Sequence, residues 1–570
     1  MNRQEILAHY RGNPDISVLV IGAGINGIGT FRDLALQDVD VLLVDRADFA
    51  SGASMASSHM LHGGIRYLEN AEFRLVREAL TERNLMLKNA PHYAKPLPTT
   101  IPIFKWFSGM FNAPLKFLNL RDKPAERGGI VIKLGLILYD IFASRYRVMP
   151  THKLRLRNSA LQKFPKMNPD IVCAATYYDS WMPTPERICI DLIDDTEQLS
   201  NDAHALNYVS AVDGGDGKVT LRDELTGDTL DVRPKVVVNA GGPWIDFVNR
   251  DLGKETQFIG GTKGSHLILD NPELHEAING NEVFFENNDG RIVLILPFMG
   301  KVMIGTTDIR IEDPDDAITN QEEIDYFMTM CRRVFPSIEV DPSQIVFHFS
   351  GVRPLPASDK SYTGNVSRDH SIRPVEAAES GMGYPVLSLV GGKWTSFRAF
   401  SEQTTDEVLS RLGRPRRGST VDMAIGGGKD YPQTESAQAR WVEEISQKTG
   451  LSVDHIRTLF DRYGTRAEEF ATFMIDGDDR PINGLSAFTM REIVHLIRRE
   501  KAVHIDDLVL RRSLIAWLGD LSDEVFADLA DIMAEELDWS SEQKDMEIAR
   551  AAEILGARHG VEVRAPSHSV

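Results

Sequence analysis

The stretch Val20-Ile21-Gly22-Ala23-Gly24-Ile25-Asn26-Gly27, read together with Val41-Leu42-Leu43-Val44-Asp45, decides the fold. An apolar, β-branched run from Ser17 to Ile21 feeds a glycine turn and a helix-length segment, Asn26 to Gln37. A second apolar run, Val39 to Val44, then ends on an acid 23 residues after Gly22. Runs that are apolar throughout belong to strands buried on both faces, as in a parallel βαβ unit. Gly22, Gly24 and Gly27 permit a tight turn and let a pyrophosphate approach the helix N-terminus, while Asp45 is placed for a ribose hydroxyl. A glycine pattern alone would be weak. Strand, turn, helix, strand and terminal acid in that order predict a dinucleotide site.

Outward from this unit, parallel-strand runs recur at Val236–Ala240 and Val386–Val390, so the sheet is assembled from distant parts of the chain. Its parts are placed at about 15–64, 171–249 and 346–412. Alternating runs such as Arg291–Pro297 and Lys301–Gly305, joined at Met299-Gly300, predict an inserted antiparallel substrate domain at about 65–170 and 250–345. After a Gly/Arg/Pro-rich stretch at 413–418 the composition turns to Glu, Ala, Arg and Leu at helical spacing, including Met490–Glu500 and Leu508–Leu518. A helical domain is expected over 421–570, with its Arg511-Arg512 pair either at an interdomain contact or, the preferred reading, on a solvated face. The fold class is therefore α/β: a Rossmann-type oxidoreductase region over 1–420 carrying an inserted sheet, then a C-terminal helical domain.

Three later features select FAD over NAD. Ser51–His59 is a hydroxyl-rich loop suited to an extended cofactor. Asn239-Ala240-Gly241-Gly242-Pro243-Trp244 leaves a buried strand with its amides available. Gly391-Gly392-Lys393-Trp394-Thr395 does the same and opens a helix whose positive end suits the N1/O2 edge of a reduced flavin. Contacts spread over about 370 residues exceed a compact NAD domain.

Composition bounds the rest. A 570-residue chain with 42% hydrophobic and 26% charged residues is an ordinary globular protein of two or three domains. A net charge of −20 argues against nucleic acid as a partner. Cys173, Cys189 and Cys331 form no CxxC pair and point to a reducing compartment. No charged-then-apolar leader precedes Asp15, so a cytoplasmic location is expected. Ile130–Ala143, broken by Lys133 and Asp140, is too short to cross a bilayer of about 30 Å. No metal site is expected, because His59 and His62 lack accompanying ligands at convincing spacing. One segment departs from the acidic whole: residues 101–170 carry 13 Lys/Arg and 4 Asp/Glu, a net +9 that leaves −29 elsewhere.

Six motifs carry a resemblance over essentially the whole chain. They are Val20–Gly27, His62-Gly63-Gly64-Ile65-Arg66-Tyr67-Leu68-Glu69, Lys263-Gly264-Ser265-His266, Ile304-Gly305-Thr306-Thr307-Asp308, Ser350-Gly351-Val352-Arg353-Pro354-Leu355 and Gly391–Thr395. In this order they resemble the FAD-dependent, respiratory (aerobic-type) glycerol-3-phosphate dehydrogenases of the D-amino-acid-oxidase-like superfamily. The resemblance implies electron transfer from glycerol 3-phosphate to FAD and on to a membrane quinone, giving dihydroxyacetone phosphate. It implies a catalytic set of His266, Arg353, Arg66 and Lys393, with Tyr67 joining the two arginines and the lysine around substrate. The implied cofactor set is Gly22, Gly24, Asn26, Gly27, Asp45, Ser57, Ser58, His62, Gly63, Gly64, Ala240, Gly241, Gly392, Lys393, Trp394 and Thr395. The chain departs from its relatives at His59, where a lysine is common, at Phe349, where a tyrosine is frequent, and at Pro183–Arg187, where the usual Asp-Ala-Arg is missing.

Oxidising a secondary alcohol needs a base for the hydroxyl proton and a tight clamp for hydride transfer. His266, read as part of a glycine/serine loop, either takes that proton or only hydrogen-bonds the loop. Arg66, Arg353 and Lys393, near glycines, suit a phosphate dianion, and Lys393 alternatively faces flavin N1/O2. Asp308 reads as a turn residue. Other readings are a dehydrogenase of another polyol phosphate such as erythritol phosphate, an oxygen-reducing oxidase, and a non-catalytic flavin-binding regulatory protein. A homodimer is left open.

The basic segment predicts a monotopic contact with the inner face of the cell membrane. Phe104, Trp106, Phe107, Met110, Phe111 and Phe117 cluster beside Lys105, Lys116, Arg121 and Lys123. Leu134, Ile137, Leu138 and Ile141 recur at helical spacing before Arg145 and Arg147. Packing of those apolar groups into the core, with a solvated charged face, is the alternative.

Overall fold

A computed structural model of the chain describes residues 1–65, 72–108, 128–144, 148–287, 291–358 and 369–564, with backbone alone at 379–380. Its first sheet has eight strands, six of them in the order Ser371–Val375, Val386–Val390, Thr229–Asn239, Asp15–Ile21, Val41–Val44 and Ala203–Leu206. All neighbours along this path are parallel except the first pair. Val18, Leu19, Val20, Leu42 and Leu43 are fully buried, which is why these runs show no polar alternation. Ile21 lies beside both Asn239 and Val44, so three strands end at one edge, where α/β sheets take their ligands. Helix Ile25–Leu36 rises from that edge and packs between helices Pro185–Leu199 and Phe397–Leu412.

The second sheet has ten strands, eight in the order Ile309–Arg310, Thr262–Leu269, Lys301–Gly305, Ile292–Phe298, Glu282–Glu286, Lys95–Ile103, Cys173–Trp181 and Met60–Leu61. It corrects the expected boundaries. Cys173–Trp181 and Ile345–Arg353, assigned from sequence to the dinucleotide half, both pair within this sheet. The sheet is also mixed, because Glu282–Glu286 runs parallel to Lys95–Ile103. The hairpin at 292–305 turns on Met299 and Gly300 with φ of 48° and 86°, the two-residue geometry whose twist matches its strands. Helix Gln321–Val334 and two shorter helices, Arg157–Lys163 and Pro272–Ala277, cover one face.

The third domain covers the other face. Its helices include Glu435–Thr449, Val453–Tyr463, Met490–Arg499, Asp523–Glu536 and Ser541–His559. Trp517 stacks on Phe347 at 4.6 Å and lies 4.9 Å from Phe349, both on strand Ile345–Arg353. All three rings are fully buried, each stabilising the contact by roughly 3 kcal/mol. The helix expected over 508–518 is instead a π-helical turn, Leu508–Arg512, followed by hydrogen-bonded turns over 515–519. Arg511 and Arg512 are 4% and 1% exposed, which overturns their solvated reading.

The apolar run of the basic segment forms helix Gly129–Ala143. Leu136 and Tyr139 face the core, whereas Leu134, Ile137, Leu138 and Ile141 are 58%, 38%, 49% and 61% exposed. Trp106 turns inward to pack over Gly129 and is half-buried, while Phe107 points outward. Met110, Phe111, Lys116, Phe117, Arg121, Lys123, Arg145 and Arg147 lie outside the described residues. Among the described residues no helix is long and apolar enough to cross a membrane.

Candidate active site

Where the first-sheet strands end against the second sheet, a cleft of about 880 Å³ opens. Gly22, with φ of 103°, makes its first turn; a Cβ there would lie 2.6 Å from Ala240 O, so only glycine fits. Ile25 N, the first amide of the following helix, donates to Ser54 Oγ at 2.9 Å, tying the Ser51–Ser58 loop to the helix start. Asp45 Oδ2 accepts from Ala23 N at 2.7 Å and Oδ1 from Ala47 N at 3.0 Å. Burial nonetheless pushes its carboxyl up to about 6. Each carboxylate oxygen keeps a further lone pair for a hydroxyl.

Of the sequence-predicted cofactor set, Gly22, Gly24, Asn26, Asp45, Ser57, Ser58, His62, Ala240, Gly241, Gly392, Lys393, Trp394 and Thr395 line this cleft. Trp394 Nε1 donates to Ser54 O at 2.8 Å, joining the third glycine-rich turn to the loop. Gly27, Gly63 and Gly64 do not line it. Gly27 abuts Gly22 O and Ala240, and serves helix packing. Gly63 N donates to buried Asp179 at 2.7 Å, so the His62-Gly63-Gly64 motif is anchored in the second sheet. Arg66 and Tyr67 lie outside the described residues.

His266 and Arg353 come from neighbouring antiparallel strands, Thr262–Leu269 and Ile345–Arg353, and both reach the cleft. This corrects the loop reading of His266, which sits mid-strand and is 2% exposed. Its loop-like neighbours are small for a packing reason: a Cβ on Gly264 would strike the Arg353 guanidinium, and one on Gly305 the His266 ring. His266 Nε2 shares a hydrogen bond with Ser58 Oγ at 2.9 Å, and the ring stacks on Phe349 at 4.8 Å. Its Nδ1 is buried without a hydrogen-bond partner among the described residues. Burial, with Arg353 and His59 nearby, holds its pKa well below the ordinary histidine range, so the ring is neutral at pH 7. Arg353 donates to Thr306 Oγ1 at 2.8 Å and Thr307 O at 3.1 Å, and pairs loosely with Asp308 at 3.4 Å. Asp308 therefore holds an arginine and is more than the turn residue expected.

A buried polar cluster behind these residues was not foreseen. Lys263 Nζ pairs with Glu323 at 2.7 Å, and Glu323 also accepts from Ser265 Oγ at 2.8 Å and Thr307 Oγ1 at 2.6 Å. Ser265 Oγ in turn lies 2.7 Å from Ser350 Oγ. Lys263, the first residue of its motif, thus supports the strand carrying His266. The signal for Glu323 was Asn320-x-x-Glu323, a capping box that places the carboxylate at a helix start.

Two observations test whether the cleft fits a flavin dinucleotide. The Gly22 turn leaves a cradle that a Cβ would fill, and Asn26 Oδ1 and Thr395 Oγ1, on two cleft-lining segments, are buried without hydrogen-bond partners among the described residues. The residues fit. Comparison with known proteins agrees. Residues 17–396 match the family described as FAD dependent oxidoreductase, and 418–544 match the C-terminal domain of alpha-glycerophosphate oxidase. A glycerol-3-phosphate dehydrogenase of Synechocystis is 31% identical over 568 residues, covering 95% of this chain and 97% of that one. The human mitochondrial glycerol-3-phosphate dehydrogenase is 28% identical, covering 99% and 76%. The fold matches the solved structure of a Bacillus halodurans glycerol-3-phosphate dehydrogenase complexed with FAD, with a TM-score of 0.73, 22% identity and coverage of 98% and 97%. The chain is thus an FAD-dependent oxidoreductase and belongs to the glycerol-3-phosphate dehydrogenase family.

Proposed function

We propose that this cleft oxidises sn-glycerol 3-phosphate to dihydroxyacetone phosphate and that the electrons leave to a membrane quinone. The observation that carries the reading is the juxtaposition of His266 and Arg353 on paired strands, facing the cleft that the Gly22 and Gly391–Thr395 turns also line. FAD, when bound, supplies the hydride acceptor. Gly22, Gly24, Asn26, Asp45, Ser57, Ser58, Ala240, Gly241 and Gly392–Thr395 would hold it. Arg353, oriented by Thr306 and Asp308, binds the substrate phosphate, with Arg66, Tyr67 and Lys393 completing the anion site. His266, neutral because it is buried, accepts the hydroxyl proton at a ring nitrogen, and the Ser58 hydroxyl, able to donate or accept, holds Nε2 in place at 2.9 Å. Phe349 holds the ring plane by stacking. The exposed apolar row on helix Gly129–Ala143 supports a lipid-dissolved acceptor, since it offers a surface that can sit in a headgroup layer.

The test is anaerobic bleaching of the bound flavin by a panel of polyol phosphates, followed by reoxidation with a quinone analogue or oxygen. Bleaching by glycerol 3-phosphate and quinone reoxidation are expected. Faster bleaching by a longer polyol phosphate would replace the substrate, rapid reoxidation by oxygen would make the protein an oxidase, and no bleaching by any member would remove the catalytic reading.

A further inference from the structure

We infer that the third domain forms one wall of the FAD site, so that FAD binding and docking of that domain on the first sheet are a single coupled event. Six cleft-lining residues come from it: Asp506, Leu510, Arg511, Ile554, Arg558 and His559. None belongs to a glycine-rich turn, and all lie more than 100 residues beyond Thr395. The inference rests on FAD as the cofactor and not on the identity of the polyol phosphate.

Two sets of contacts join this wall to the dinucleotide loops. Below the cleft, Asp48 stands three residues past Asp45 and is fully buried. It accepts a bidentate pair from Arg512 at 2.6 and 2.9 Å, the Nε–H of Arg511, and Asn207 Nδ2 at 3.0 Å. Arg511 continues to Asp507 at 2.6 Å and Asp506 at 3.0 Å, so one guanidinium bridges the loop after Asp45 and the cleft wall. At the mouth, Asp315 pairs with Arg46, accepts Trp244 Nε1 at 3.1 Å and, through its carbonyl, Arg558 Nη2 at 3.4 Å. Arg46 also lies over the Trp244 ring at 4.8 Å. Loops of the first sheet, a loop of the second and the last helix of the third domain therefore meet on one residue. Arg46, Arg250 and Arg558 line this part of the cleft among Asp251, Asp313 and Asp315, so the wall presents charges of both signs to a ligand, while Arg511 is committed to its buried carboxylates. A ligand that touches both sides of an interface binds only the docked state, so by linkage it strengthens docking and docking strengthens its binding by the same factor.

Hydrogen–deuterium exchange on the full-length protein, stripped of FAD and then reloaded, reads the coupling directly. FAD is expected to slow exchange at 504–512 and 554–560 as well as at 20–58. Protection confined to the first-sheet loops overturns the inference. Arg558→Ala alters an exposed side chain and leaves the fold intact by circular dichroism; its FAD dissociation constant, read from flavin fluorescence, is expected to rise about fivefold or more, the lower range of site–site coupling. An unchanged constant overturns the place of Arg558 in the wall. Should Arg511→Met fail to fold, these two measurements still decide, and neither depends on which polyol phosphate bleaches the flavin.

Discussion

Arg512 and Arg353 each bring a guanidinium to a carboxylate, yet they sit in different media. Arg512 is 1% exposed and locked in a bidentate pair with Asp48, with Glu500 O accepting from the same side chain at 2.8 Å. Arg353 has a side chain 23% exposed to the cleft, held by hydroxyl and carbonyl oxygens and a loose 3.4 Å ion pair. A cation whose donors are committed to a buried carboxylate organises the fold. One presented to an open cleft on a preset frame organises a ligand. The molecule keeps the two roles apart by burial, not by residue type.

Breaking the buried member should have the largest effect. Asp48→Asn leaves Arg512 buried without its bidentate counter-charge and takes from Arg511 one of its three carboxylates, and unfolding in urea is expected to show a loss of about 3–5 kcal/mol. Asp315→Asn, at a half-exposed carboxylate, should cost about 1 kcal/mol or less. Equal losses in the two variants would dissolve the distinction. On the other side, Arg353→Met should reduce kcat/KM for the phosphorylated substrate by the equivalent of about 2–5 kcal/mol while flavin content holds. Arg498→Met is the control, because Arg498 is 57% exposed and pairs with Glu536 on the surface. Matching kinetics would remove Arg353 from the site.

The same contrast explains what the sequence disclosed. Strand, turn and helix at 15–44 are local, and their apolar runs and glycines are readable in one window. Arg353 and His266 were readable through the glycine-bearing motifs that hold them, and Gly264 and Gly305 make room for the Arg353 guanidinium and the His266 ring, although Gly264 and Ser265 suggested a loop where the chain is a strand. Asp48 and its arginines lie more than 460 residues apart, and nothing local to Arg511-Arg512 distinguishes a buried pair from a solvated one. Glu323 reaches Lys263 across 60 residues, and its capping signal announced a helix start without announcing the lysine.

A smaller effect sharpens the comparison through pH. His59 is fully buried among Phe298, Phe349 and Trp517, with Pro183 O and Met55 O at its ring nitrogens, and its pKa is pushed down to about 4 by burial. An unfolded histidine takes its proton near 6.5. Between those values the unfolded chain binds a proton that the folded chain refuses, so stability falls as pH drops through this window and is level above it. From pH 6.5 to 5 the loss is about 2 kcal/mol for this one group. His59→Phe should flatten the slope measured by urea unfolding at pH 7 and 5. A variant that loses stability as steeply as the parent would place the acid sensitivity in other groups.

The smallest effect concerns helix Gly129–Ala143, where the contrast between committed and presented groups recurs with apolar side chains. Leu136 and Tyr139 are committed to the core, and Leu134, Ile137, Leu138 and Ile141 are presented at spacings of three and four, one face of the helix. The exposed Lys133 adjoins Leu134, and the exposed Lys105 accepts through its carbonyl from Gly129 N at the helix start, each cation worth about 1 kcal/mol against anionic lipid. Trp106 is not part of the row, because it packs over Gly129. Replacing Leu134, Leu138 and Ile141 by serine therefore removes presented surface without opening the core. The parent protein is expected to pellet with anionic liposomes and to release partly in high salt, with the triple variant left in the supernatant and its flavin still bound. Equal pelleting of the variant would move the membrane contact off this helix, and a parent that stays in the supernatant would leave the row without a lipid role and turn the acceptor towards one dissolved in water.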